Sequence, residues 1–103
     1  RPAEALEEFR VAAEQQPESA RYNYVYGVAL HSAGRPAEAI QQLEKTIERH
    51  PGDRDTLIAL VSYYRAQGNS ASALKYAELL TKAFPLDNAA AQLMRELRGS
   101  PGR

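Results

Sequence analysis

The chain has no cysteine among its 103 residues. That excludes a disulfide framework, a thiol nucleophile and a thiolate metal site, and it is neutral about compartment. There is no charge excess either: 13 Lys and Arg stand against 13 Asp and Glu. Nucleic acid and anionic membrane surfaces select a basic surplus, so neither is expected as the main partner. No stretch approaches the roughly 18 apolar residues of a membrane span, so membrane insertion is not expected. No leader peptide is visible, but residue 1 reads as a cut edge, so this absence carries little weight. At this length one domain is expected, burying only roughly 60–70% of its surface.

Chemistry-bearing patterns are also missing. His31 and His50 fall in different helical segments. His31 and Ser32 are adjacent, so on a helix they point about 100° apart and do not share a proton. "PGDRD" at 51–55 is acidic, but a calcium loop needs more alternating oxygen ligands and a closing glutamate. No Gly-rich phosphate cradle occurs, and the glutamates of "EALEE" read as a solvated helix face. No catalytic, cofactor or metal residue is therefore expected, and the chain is not read as an enzyme.

What the sequence does contain is a period. "RPAEA" opens the chain at residues 1–5 and returns at residues 35–39. Pro17, Pro51 and Pro85 are spaced by 34, as are Ala5, Ala39 and Ala73, and Gly34 and Gly68. Phe9, Leu43 and Ala77 keep the step and the apolar character, as do Tyr26 with Leu60 and Leu30 with Tyr64. Repeats of this length signal stacked supersecondary units.

Each period reads as two helices. Tyr22, Tyr26, Leu30 and Ala33 recur at helical spacing. Ser19 is a natural N-cap, and Gly34 sits where a left-handed residue ends a helix. Pro36 suits a first helical turn. Ala39, Ile40, Leu43 and Ile47 form the next stripe, with Arg49 and His50 in its last turn, where positive charge complements the helix dipole. Asp53 caps the following helix, whose stripe is Leu57, Leu60, Val61 and Tyr64. Ala73, Ala77, Leu80 and Phe84 form the stripe after that. The expectation is an all-α fold of about six helices.

A 34-residue helix–turn–helix period of this kind resembles the tetratricopeptide repeat, whose pattern is W-x2-L-G-x2-Y, then A, x3-F and P. Residues 20–53 supply Asn23, Tyr26, Gly27, Leu30, Ala39, Leu43 and Pro51 in those places. Residues 54–87 supply Leu57, Leu60, Val61, Tyr64, Ala73, Ala77 and Pro85. Residues 1–19 match only the second helix of a unit, through Ala5, Phe9, Ala12 and Pro17. The resemblance implies a right-handed α-solenoid of antiparallel helix pairs over residues 1–98, a fragment of a longer array. Asn23 departs from the pattern's aromatic and Val61 from its small residue. Arg95 falls on the column of Gly27 and Val61, where a following helix would bury its charge at high cost. Residues 88–98 are therefore expected to be a capping helix, covering the array with Leu93, Met94 and Leu97. Residues 99–103 are expected to be a disordered tail.

The resemblance also implies a site. In the family the first helix of each unit lines a concave groove. Carried over, the inward positions are Arg21, Tyr24, Val28 and His31, then Asp55, Ile58, Ser62 and Arg65, with Ala89, Gln92 and Glu96 from the last helix. Such a mixed surface suits a peptide or a partner helix. The alternative for the same residues is a solvated face, with Tyr24 and Val28 covered within the chain. Members that clamp a chaperone tail carry Lys and Asn at positions held here by Tyr24 and Val28, so that role is disfavoured. The expected function is a non-catalytic protein-interaction module.

A second reading makes the chain an appendage of a larger bacterial enzyme or electron-transfer protein. "RYNYVYGVALHSAGR" with "RHPGDRD" is similar to repeat segments of bacterial proteins, some attached to multihaem cytochrome regions. No C-x-x-C-H motif lies within these residues. Self-association is a further expectation. A unit lacking its first helix leaves Leu6, Phe9 and Ala13 partly uncovered. Residues 1–19 hold two arginines against five glutamates, net −3, and residues 88–103 hold three arginines against one glutamate, net +2. An acidic head and a basic tail favour head-to-tail stacking over a symmetric pair.

Overall fold

Proline ends three helices at the same phase, and glycine ends two others. A computed structural model describes residues 2–99. It contains six helices: α1 Pro2–Gln15, α2 Ala20–Ser32, α3 Pro36–Arg49, α4 Arg54–Ala66, α5 Ser70–Ala83 and α6 Asn88–Gly99. No strand occurs among the described residues. The helix expected over 88–98 thus runs through Gly99, and the remainder of the expected tail, 100–103, lies outside the described residues.

The turns repeat as the sequence does. After α2, Gly34 adopts φ 80°, and after α4, Gly68 adopts φ 76°. A side chain there would meet the left-handed penalty that glycine escapes. Gly34 N–H donates to His31 O and Arg35 N–H to Leu30 O, both at 3.0 Å. Gly68 N–H to Arg65 O and Asn69 N–H to Tyr64 O repeat the arrangement at 2.9 Å. These paired bonds satisfy carbonyls that a helix end otherwise leaves open.

The proline turns repeat three times. Ser19, Asp53 and Asp87 each donate a backbone N–H to the carbonyl three residues back, at 3.0, 3.0 and 3.1 Å. Their side chains then cap the next helix. Ser19 accepts from Tyr22 N–H at 3.1 Å, Asp53 from Thr56 N–H at 3.2 Å, and Asp87 from Ala89 N–H at 2.9 Å. Asp87 completes a capping column whose other members, Ser19 and Asp53, are legible in the sequence. Each such cap contributes about 1 kcal/mol.

The contacts divide the chain into two units, one ending at Thr56 and one beginning at Leu57. In the first, α1 packs on α2 and α2 on α3. Ala13, Gly27, Leu30, Ala39, Leu43 and Thr46 are buried there. Gly27 allows close approach: a Cβ on it would lie 2.7 Å from Leu43 Cδ2. In the second unit, α5 packs on α6, and Tyr64 of α4 stacks on Tyr76 of α5 with ring centroids 5.9 Å apart. Leu57, Leu60, Val61, Ala77 and Leu80 are fully enclosed, with Ala90 and Met94 supplied by α6. Burying each leucine contributes about 1.5–3 kcal/mol relative to exposure. Leu93 and Leu97 are half-buried, and Arg95 lies exposed.

Two stripe positions turn outward. Tyr22 retains 48% of its surface, and Ala33 is exposed. The inner face of α2 instead includes Asn23, which its neighbours' polar groups engage. Ala13, expected to be uncovered, is only 4% exposed because α1 packs it against its neighbours.

On the outer face of α1, Arg10 lies between Glu7 and Glu14, bonding to Glu7 Oε1 at 3.0 Å and Glu14 Oε2 at 2.7 Å. The hydrogen bond from Arg10 holds the Glu7 carboxyl below its ordinary value. A carboxyl lowered on folding stabilises the fold when ionised. Its contribution is complete above the ordinary glutamate value and fades as pH falls through the lowered one. Carboxyl-carbon titration by NMR should therefore give Glu7 a midpoint below the ordinary value, and Arg10→Gln should bring it back. Both groups face solvent, so the contribution to stability is small.

Candidate functional site

α2 begins at its Ser19 cap, and that start sets which side chains face α1. One turn in, Asn23 fixes the helix against both neighbours. Its Nδ2 donates to Ser19 O at 2.7 Å and lies 3.3 Å from Gln16 O and from Pro17 O. Its Oδ1 accepts from Gln42 Nε2 at 2.7 Å. With α2 locked in this phase, Tyr24 and Val28 face a cleft of about 440 Å³ between α1 and α2. Leu6 and Phe9 form the opposing wall. Phe9 keeps 37% of its surface exposed. Two of the expected groove residues, Tyr24 and Val28, thus share one apolar cleft with two of the expected self-association residues, Leu6 and Phe9, whereas Arg21, His31 and Ala13 do not line it. The sequence alone does not show this, because Tyr24 and Val28 read as groove positions and Leu6 and Phe9 as an open end. The column Phe9, Leu43, Ala77 carried the signal, since Leu43 meets the helix preceding it.

Arg21 lies beside the cleft, its guanidinium 5.8 Å from the Tyr24 ring centroid and 3.9 Å from Asp55 Oδ2. Both charges are largely solvated, so the pair adds little stability and serves chiefly to orient the arginine. His31, one turn beyond Val28, is half-buried. The four residues carried onto α2 and Asp55 at the head of α4 therefore lie in the first unit.

The second unit presents a polar counterpart. Glu96 of α6 accepts from Arg65 Nη1 on Oε1 and from Gln92 Nε2 on Oε2, each at 3.2 Å. Arg65 and Gln92 are thereby brought together, with Glu96 between them. Ser62 is exposed on the same helix as Arg65, and Ile58 is half-buried. Ala89 is exposed in the first turn of α6.

Another cleft, of about 350 Å³, opens in the first unit beside Asn23, Tyr26, Gln42, Thr46 and His50. His50 closes α3, where its backbone N–H donates to Thr46 O at 2.8 Å. Its ring turns inward: Nε2 is enclosed without a hydrogen-bond partner. The expected dipole-complementing surface position is therefore held by Arg49, which pairs with Glu18.

Comparison with known proteins agrees with this architecture. Two models described as tetratricopeptide repeat match the sequence, one over residues 1–54 and the other over residues 30–97. A search of curated proteins finds no match to the chain. Repeats of this kind are generally protein-interaction modules and typically non-catalytic. With the 34-residue period, the twice-repeated glycine turns and the thrice-repeated proline turns, these matches establish that the chain belongs to the tetratricopeptide repeat family.

Proposed function

We propose that this protein is a non-catalytic interaction module in which each unit by itself offers a face to a peptide or helix of a partner, α2 in the first unit and α4 in the second. The α1–α2 cleft supports the reading: Tyr24 and Val28 meet Leu6 and Phe9 across about 440 Å³. Apolar side chains gathered in a concavity supply binding energy when a partner removes them from water. Arg21 beside the cleft, and Arg65 with Gln92 in the second unit, add polar groups that fix orientation.

The test is selection of displayed random peptides on the immobilised full chain, followed by affinity measurement on variants. Tyr24→Ala and Ile58→Ala are expected to weaken the selected peptide by about tenfold or more, as central anchors do. Gln41→Ala, on the outer side of α3, should change affinity less than about twofold, as rim positions do. The reverse ranking would move the binding face to the second helices.

A further inference from the structure

The polar cleft of the first unit, about 350 Å³, is walled by three successive helices: α1 through Ala13, α2 through Asn23 and Tyr26, and α3 through Gln42, Lys45 and His50. Its polarity is peculiar to this repeat. One period later, the columns of Asn23, Tyr26, Lys45 and His50 hold Leu57, Leu60, Leu79 and Phe84. The repeat frame therefore accepts apolar residues at all four places, and packing alone does not call for polar ones.

Part of the polar set is engaged within the fold. Asn23 Nδ2 donates to Ser19 O, and Asn23 Oδ1 accepts from Gln42 Nε2. The other three are not engaged. Nε2 of His50 is enclosed without a hydrogen-bond partner. The Tyr26 hydroxyl and the Lys45 ammonium, on the same cleft, make no hydrogen bond or ion pair among the described residues. Enclosed polar atoms are almost always paired, so an open one beside a cleft points to something that enters it. Charge then sets the sign of the ligand. Glu14, which also lines the cleft, is bonded by Arg10 at 2.7 Å, and Arg49 pairs with Glu18. That leaves the single positive charge of Lys45 without a counter-charge.

We propose that this cleft binds a small free carboxylic acid in its ionised form. Lys45 Nζ pairs with the carboxylate, and the Tyr26 hydroxyl and His50 Nε2–H donate to its oxygens. His50 carries its proton on Nε2 for this purpose. Its ring turns about χ2, a broad torsion, to bring Nε2 from its enclosed position to the ligand. One uncompensated cation matches a monoanion, whereas the second charge of a phosphate dianion would face the Glu14 carboxylate unmatched. Size sets the rest. The cleft stands near the lower end of the roughly 300–1,000 Å³ range of small-molecule sites. Ala13, Pro17 and the Tyr26 ring offer apolar contact to a short hydrocarbon body. This cleft and the α1–α2 cleft share no lining residue, so the acid binds independently of any peptide held there.

The test titrates hydrocinnamate into the full, isotope-labelled chain and follows the two histidine rings by NMR. Binding should saturate with a Kd below about 1 mM. The imidazole signals of His50 should move, while those of His31, outside the cleft, should stay in place. Hydrocinnamamide, similar in shape but uncharged, should bind at least about tenfold more weakly, since it loses the charge-assisted bonds. Lys45→Leu and His50→Phe install the residues of the next repeat, and each should lower affinity about tenfold or more. Tyr26→Phe removes only a hydroxyl and should lower it about threefold to tenfold. Circular dichroism checks that each variant is folded, and Tyr26→Phe, which keeps the ring, tests the site even where His50→Phe does not fold. Equal binding of acid and amide, or affinity unmoved by Lys45→Leu and Tyr26→Phe, overturns the carboxylate site. So does the absence of a saturable shift at His50. Tighter binding of inorganic phosphate would assign the cleft to a dianion, and tighter binding of acetyl-Gly-Gly-Phe than of hydrocinnamate would assign it to a chain end; either result overturns the small-acid proposal.

Discussion

Gly27→Val is expected to destabilise the chain by about 1–3 kcal/mol, because it drives a branched side chain into a filled space. The nearest atoms to a Cβ at Gly27 are Leu43 Cδ2 at 2.7 Å and Cγ at 2.9 Å. Leu43 is itself fully buried, so it must shift to admit the larger side chain. Two effects oppose one another here. Removing a glycine from a helix interior gains about 0.5–1 kcal/mol of backbone entropy. The overlap exceeds that gain for valine, whereas Gly27→Ala should fall near balance, with a slight rotation of Leu43. Leu43→Ala alone should cost about 2–5 kcal/mol through lost burial and a residual cavity. Together the two changes reproduce the combination found 34 residues later, Val61 with Ala77, both fully buried. The double variant should therefore cost less than the sum of the singles by about 1–3 kcal/mol, the range of coupling between touching residues. Urea denaturation of the four proteins gives the cycle. Strict additivity would show that the two columns do not meet.

Much of the helical framework was legible because its causes are local and periodic. Gly34 and Gly68 announce left-handed turns, and Ser19 and Asp53 announce caps, without reference to anything distant. Asp87 escaped notice because it precedes "NAAAQ", a run with no strong apolar stripe to mark a helix start. The site was less legible. Periodicity assigns a residue to a face but not to the neighbour that the face meets. Tyr22 keeps the spacing of an inner stripe yet stands exposed, since Asn23 takes the inward place beside it. Phe9 and Tyr24 lie 15 residues apart and reach one cleft only because α1 and α2 pack together. Ala13 looked open on the assumption that α1 was bare, but α1 is covered on that side. In each case the missing information was tertiary: which of two adjacent helical positions wins the interior.

Asn23→Ala should cost about 0.5–1.5 kcal/mol, the net contribution of hydrogen bonds between part-buried groups. In the family pattern this column is an aromatic, a residue that fills space. Asn23 instead bonds. Three carbonyl oxygens, of Gln16, Pro17 and Ser19, surround one atom of its amide, and Gln42 Nε2 approaches the other. Only one orientation of the amide satisfies this set, with nitrogen toward the carbonyls and oxygen toward Gln42. The side chain thereby ties the end of α1, the proline turn and α3 to the first turn of α2. The equivalent residues in the second unit are Leu57 and Tyr76, both buried and apolar in character. An apolar pair and a hydrogen-bonded pair thus solve the same packing problem, and mixing them should fail. Asn23→Leu alone should be about as costly as Asn23→Ala, since it supplies volume but strands Gln42 and the turn carbonyls. Adding Gln42→Tyr should recover most of that cost, as coupled neighbours do. Amide hydrogen exchange gives a second reading: Asn23→Ala should accelerate exchange at Ser19, whose N–H is held in the turn that Asn23 secures. Equal cost for Asn23→Leu with and without Gln42→Tyr, together with unchanged exchange at Ser19, would mean that the amide network contributes little and that α2 is held in phase by Leu30 and Gly27 alone.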